Sequence, residues 1–262
     1  MRETGCRPMP LGMALFYFGI PAAVVIFIVY FVMPFLAARN VHIFFNYLLV
    51  YATVPMLALI AASIIAYRRE GNAMSWPEFK NRFRLNKMDG KSWLWTIDLT
   101  IFMVLSAGLL SFTARWLASF SFLAPPDYWP AELNPNGTGG LTSGALPTEF
   151  MGLSLAGNWW ILIVLLISLV IATFGEKLWR RGYILPRQEL AHGDRTWLIN
   201  GLLWISFHLF APWNLLVILR GCLAMSSVAQ RLKNTWPAVI AHGLANGLIV
   251  IIVVVLGIWY DG

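Results

Sequence analysis

Seven apolar stretches, at about 13–38, 43–67, 93–115, 157–176, 197–212, 214–230 and 236–258, decide what this chain can fold into. Crossing the hydrocarbon of a bilayer takes about 20 mostly apolar residues in a helix. The chain therefore reads as an all-α, polytopic transmembrane bundle of about seven spans, with six to eight as the range. Composition agrees: 59% of the 262 residues are hydrophobic and 12% charged, against about 25% charged in a soluble domain. The first apolar run exceeds the 7–15 residues of a signal-peptide core and reads as a retained helix.

Lys and Arg concentrate on the cytoplasmic side of membrane helices, and here they alternate with the spans. The N-terminal tail holds Arg2 and Arg7, and the basic segment 68–92 holds Arg68, Arg69, Lys80, Arg82, Arg84, Lys87 and Lys91. Arg180, Arg181, Arg187 and Arg195 flank a third connection, and Arg231 and Lys233 a fourth. All these are expected inside. Segment 118–156 is expected outside, as a Pro/Gly-rich surface loop acting as lid or linker, with no Lys or Arg from 118 to 156. The glycosylation-like triplet Asn136-Gly137-Thr138 within it is given no weight. Residues 1–262 form one integral membrane domain, N-terminus cytoplasmic and C-terminus (Asp261, Gly262) outside, expected in a prokaryotic inner membrane. The net charge of +7 belongs to span ends and anionic headgroups, so lipids are expected partners and nucleic acid is not. Cys6 and Cys222 offer neither a disulfide framework nor a thiolate metal cluster.

Ionisable groups within a membrane need a partner, a wet cavity or a function. Helices of the region 157–258 carry Glu176 near the cytoplasmic end of one span, His208 about three turns into the next, and His242 with Asn246 one turn apart on the last. A carboxylate and two imidazoles can hydrolyse a peptide: Glu takes a proton from water, one His orients that water, and the other His with the Asn amide donates to the oxyanion. Glu176, His208 and His242 are equally a zinc-type ligand set, which leaves a metal alternative open. Arg220, in the sixth span, reads either as a ligand for a substrate carboxylate or as a packing residue. His42 with Asn46 and His192 are expected in interfacial or polar hydrogen bonding.

The runs Glu176-Lys177-x-x-x-Arg181-Gly182-Tyr183, Trp204-x-x-x-His208 and Trp236-Pro237-Ala238-Val239-x-Ala241-His242-x-x-x-Asn246 resemble the CAAX protease and bacteriocin-processing family. These are intramembrane endopeptidases related to the Ras-converting prenyl protease, and the resemblance covers about 160–258. It implies Glu176 as general base, His208 as its partner on the water, His242 and Asn246 as the oxyanion site, Arg181 as a structural anchor near Glu176, and no metal cofactor. Substrates would be membrane-anchored, lipidated or hydrophobic leader peptides cut in a cavity open toward the cytoplasm. Two positions depart from the family pattern: Trp204 replaces the usual Phe, and Lys177 the usual second Glu. Lys177 is expected to snorkel to the cytoplasmic interface or to pair with Asp98; if it touches Glu176 instead, it favours the carboxylate and weakens the base. Its charge reversal supports an alternative, a catalytically silent member acting in binding or bacteriocin immunity.

Overall fold

The computed structural model describes residues 6–137 and 148–260. Arg2, Thr138, Asp261 and Gly262, used above, lie outside them. The helices are α1 (Leu11–Ala37), α2 (Ile43–Arg69), α3 (Trp76–Arg82), α4 (Gly90–Ala118), α5 (Trp159–Lys177), α6 (Leu185–His192), α7 (Thr196–Phe207), α8 (Leu215–Leu232) and α9 (Trp236–Trp259). A π-helical segment, Leu178–Ile184, joins α5 to α6 without a break. Among the described residues six continuous helical stretches are long and apolar enough to cross a membrane, so the chain is a multi-pass helical membrane protein. Large apolar side chains such as Phe16, Ile20, Leu105, Leu109 and Val170 face outward, as lipid contact requires.

One expected span differs. Residues 197–212 do not form a separate crossing stretch but continue the long stretch Trp159–Phe210, which turns at Gly193 (φ 56°). Glycine adopts that left-handed backbone without steric penalty. At 12 residues, α7 is only ~18 Å long, short of the ~30 Å hydrocarbon thickness. His208 consequently caps its C-terminal end instead of sitting within a longer helix.

The basic connections converge on one end of the bundle. Arg84 forms a bidentate pair with Glu189 (2.8 and 3.0 Å), which also takes Lys233. Arg82 does the same with Glu70 (2.7 and 2.9 Å) and donates to the Gly182 carbonyl at 3.3 Å. Met9 N–H donates to Arg187 O and Thr235 N–H to Arg84 O, which ties the N-terminal tail, the 68–92 segment and the last turn together. Asp89 caps α4 by accepting from Ser92 N–H at 2.8 Å. The Ser92 hydroxyl and N–H hold its carboxyl below the ordinary value. This cap is complete above the ordinary carboxylate range and lost as pH falls through the lowered value.

At the opposite end the loop folds back on the helices. Its hairpin pairs β1 (Glu149–Phe150) with β2 (Leu153–Ser154). Trp129 is buried against Tyr47, Tyr51 and Trp213, with ring centroids 5.3–5.5 Å apart. From the described part of this segment Trp129, Glu132, Leu133 and Met151 line cavities between the helices.

Helix α5 reaches α2 through Gly175, where a Cβ would lie 2.6 Å from the Met56 carbonyl oxygen. Small residues allow such backbone-to-backbone approach in membranes. Gly175→Ala must push the helices apart next to Glu176, and overpacking of this kind costs about 1–3 kcal/mol. The expected result is a lower unfolding temperature in detergent; an unchanged one would show that α2 yields freely.

Candidate active site

Glu176 stands at the last turn of α5, where the apolar face of that helix meets the basic end of the bundle. It is buried, and so are Lys177, Arg180 and Arg181. Its Oε1 accepts from the Arg180 guanidinium and from the Trp204 indole N–H. Its Oε2 accepts from the Lys177 ammonium at 2.9 Å and lies 3.3 Å from His242 Nδ1. Lys177 Nζ is also 2.7 Å from His242 Nδ1 and 3.9 Å from the centroid of the Trp204 indole, a cation–π distance.

Lys177 therefore neither snorkels nor pairs with Asp98. It is fully buried, while Asp98 is exposed on α4. The attraction of a buried carboxylate and an aromatic face outweighs the reach of a long side chain toward water. The two departures from the family pattern touch each other: the lysine rests on the tryptophan, and both donate to the same carboxylate. A Phe at 204 could not supply that donor. Trp204→Phe keeps the ring and removes the N–H; hydrogen bonds to charged groups contribute about 1.5–3 kcal/mol. A stability loss of that size is expected in thermal unfolding, and no loss would mean that the indole bond contributes nothing.

Arg181 is not the cation on Glu176. Its guanidinium bonds the Asn200 side-chain oxygen and the Cys222 carbonyl (3.4 Å), and lies 4.3 Å from the Trp204 ring centroid. Asn200 in turn donates to Gln188 Oε1 at 2.7 Å. Arg180, which the motif leaves as a variable position, makes the contact, and its guanidinium lies 3.9 Å from the Phe207 ring centroid. The i,i+4 spacing from Glu176 to Arg180 was the available signal, as was the polar Asn200 inside an apolar run.

The histidines show which ring nitrogen faces the cavity. His208 Nδ1 is 3.1 Å from the Trp204 carbonyl, so that nitrogen carries the proton and Nε2 is the acceptor. His242 Nδ1 accepts from Lys177, which leaves the proton on Nε2. His242 Nε2 contacts the Asn246 side-chain amide at 2.7 Å. The amide atom placed there is Nδ2; exchanging the near-isosteric oxygen and nitrogen of the amide, an orientation assigned from the hydrogen-bond network, lets the oxygen accept that proton and turns the N–H₂ outward.

Glu176, His208, His242 and Asn246 all line one cavity of about 240 Å³. His208, His242 and Asn246 also line a second, of about 470 Å³. The first runs along α5 past Ser168 and Leu165 to Phe150 and Met151. It thus extends toward the loop end of the bundle, away from the basic connections. The reason lies in the packing: Arg180, Arg181 and the π-helical segment fill the basic end. For the zinc alternative at Glu176, His208 and His242, the ammonium of Lys177 occupies the space between two of the three ligands. Among the described residues no group of three His, Cys, Asp or Glu side chains is arranged to hold a metal ion. The remaining sequence candidates lie elsewhere: His42 caps the start of α2 by accepting from Phe44 N–H (3.3 Å), and Asn46 donates to Met33 O (2.9 Å).

No curated protein and no solved structure matches the chain. A family model does, that of the Rce1-like, type II CAAX prenyl endopeptidases, over residues 158–248. That interval begins just before α5 and ends just past Asn246, so it holds Glu176, His208, His242 and Asn246 as well as Lys177, Trp204 and the two arginines. With the membrane helices and this match, residues 158–248 belong to the CAAX protease family of intramembrane endopeptidases.

Proposed function

We propose that the chain hydrolyses a peptide bond in membrane-anchored, lipidated or hydrophobic leader peptides by water activated at Glu176, without a metal. One observation carries this reading: Glu176, His208, His242 and Asn246 reach a single cavity from three helices. Water held between the Glu176 carboxylate and the His208 Nε2 lone pair attacks the scissile carbonyl, its proton passing to Glu176 and from there to the amide nitrogen as the C–N bond breaks and the amine leaves. The Asn246 amide N–H, oriented by His242, donates to the oxyanion, a contribution of about 2.7–4 kcal/mol for a well-aligned donor. Arg180 and Trp204 position Glu176 from behind. The ammonium between Glu176 and His242 supports omitting zinc, because a dication there would face a buried positive charge. The topology that suits the convergent basic end has the N-terminus and segment 68–92 cytoplasmic, the 118–156 loop and the C-terminus outside, in a prokaryotic inner membrane.

A second reading has one specific observation behind it. Lys177 occupies Glu176 Oε2 at 2.9 Å, as in a silenced site that binds peptides without cutting them, for instance in bacteriocin immunity. Purified protein in detergent, offered prenylated and unprenylated membrane peptides with and without a zinc chelator, separates the readings. Cleavage that resists the chelator and disappears in His208→Ala and His242→Ala supports the peptidase. Cleavage abolished by the chelator and restored by zinc would sink the metal-free mechanism, and binding without cleavage by folded protein would favour the silent site.

A further inference from the structure

Arg220 projects from the first half of α8 into the second cavity, the one that shares His208, His242 and Asn246 with the first. Its neighbours on that wall are apolar or neutral: Met103, Ala107, Val217 and Gly221, with Asn214 nearby. No Asp or Glu lines this cavity among the described residues, and Arg220 forms no ion pair there. One guanidinium nitrogen donates to the Ser106 carbonyl on α4, while its buried Nε has no hydrogen-bond partner among the described residues.

A guanidinium within a membrane span is costly without an anion, and its planar fork of donors matches a carboxylate in bidentate fashion. Helix packing alone would be served by any long apolar side chain. Arg180 and Arg181 also keep unpartnered nitrogens, but their guanidinium groups are already held by Glu176 and Asn200, and neither residue lines this cavity. Arg220 is the arginine that lines the free volume of about 470 Å³ beside the oxyanion residues, and it brings an unused donor to it. We propose that Arg220 binds a carboxylate of the peptide substrate, and so sets which bond reaches His242 and Asn246. The carboxylate comes either from the substrate's C-terminus or from an acidic side chain near the scissile bond. This inference rests on the peptidase reading for its meaning, but not for its test.

The test uses the full chain in detergent and a hydrophobic fluorogenic peptide in three forms: free C-terminal carboxylate, C-terminal amide, and amide with one Glu introduced at successive positions. Wild type is expected to prefer the carboxylate source it recognises by about 10- to 100-fold in kcat/KM, the range set by hydrogen bonds to a charged group. The free acid winning identifies the C-terminus; a Glu-bearing amide winning identifies a side chain. In Arg220→Gln the preference should fall to near one, mostly through a raised KM for the carboxylate form, and Arg220→Lys should keep part of it. Equal rates on all peptides in wild type, or an equal fall on all of them in Arg220→Gln, would overturn the proposal and leave Arg220 a packing residue. Equilibrium binding of the same labelled peptides to His208→Ala covers the case in which nothing is cut. Tighter binding of the carboxylate form, lost on adding Arg220→Gln, keeps the carboxylate site while the peptidase reading falls. Equal binding of acid and amide ends the proposal as well.

Discussion

Glu176→Gln is expected to abolish cleavage and, independently, to destabilise the protein by about 3–5 kcal/mol, the usual cost of removing one partner from a buried ion pair. The carboxylate meets Lys177 on one oxygen and Arg180 with Trp204 on the other. An amide offers one acceptor oxygen and turns its N–H₂ toward donors on the other side. Two buried cations then lose their anion, and neither can reach water. The rate loss expected from removing a general base is about 10²–10⁴-fold. Because the two effects share one residue, the decisive comparison is the double substitution Glu176→Gln with Lys177→Met. It takes away one uncompensated charge and should recover part of the stability while leaving cleavage at background. Thermal unfolding and peptide cleavage on the same preparations check both. Cleavage returning along with stability would mean that Glu176 organises the site without acting on water.

Lys177→Glu is expected to raise the cleavage rate at least tenfold. In the resting arrangement Lys177 holds Glu176 Oε2 at 2.9 Å, and water can use that oxygen only once the ammonium moves. A glutamate at 177 would free it and find a cation ready, because Arg181 lies one turn further along the same helix and now spends its donors on neutral oxygens of Asn200 and Cys222. The two carboxylates would repel each other, but two arginines share the load. Lys177→Met serves as the control: it too frees Oε2, without adding charge. Gains in kcat for both substitutions would mark Lys177 as a brake on an otherwise complete site. If both remain inactive while folded, the silent binding reading takes the place of the enzymatic one. A gain in Lys177→Glu alone would show that the second carboxylate itself is required.

The two departures from the family pattern bear on this comparison together. Seen along the chain, Lys177 and Trp204 are 27 positions apart and look like separate changes. In space the ammonium lies 3.9 Å from the centroid of the indole ring, and both donate to Glu176. Trp204→Phe and Lys177→Glu should therefore be non-additive, as contacting residues usually are.

Apolar runs longer than about 20 residues, and basic residues gathered at alternate ends of them, determined a multi-pass helical bundle from the sequence by itself. Desolvation and headgroup charge act on each segment locally, so no tertiary contact is needed to read them. The spacing of Glu176, His208, His242 and Asn246 was legible for the same reason, since helical periodicity assigns a face to each residue. What only the tertiary structure decided was which charge meets which. Arg180 instead of Arg181 reaches Glu176, Lys177 turns inward instead of toward headgroups, α7 stops short of a full crossing at His208, and Trp129 from the loop lines the second cavity. Each of these depends on the rotation and depth of one helix against another, and that is set by packing such as the Gly175 contact with Met56, which no single segment encodes.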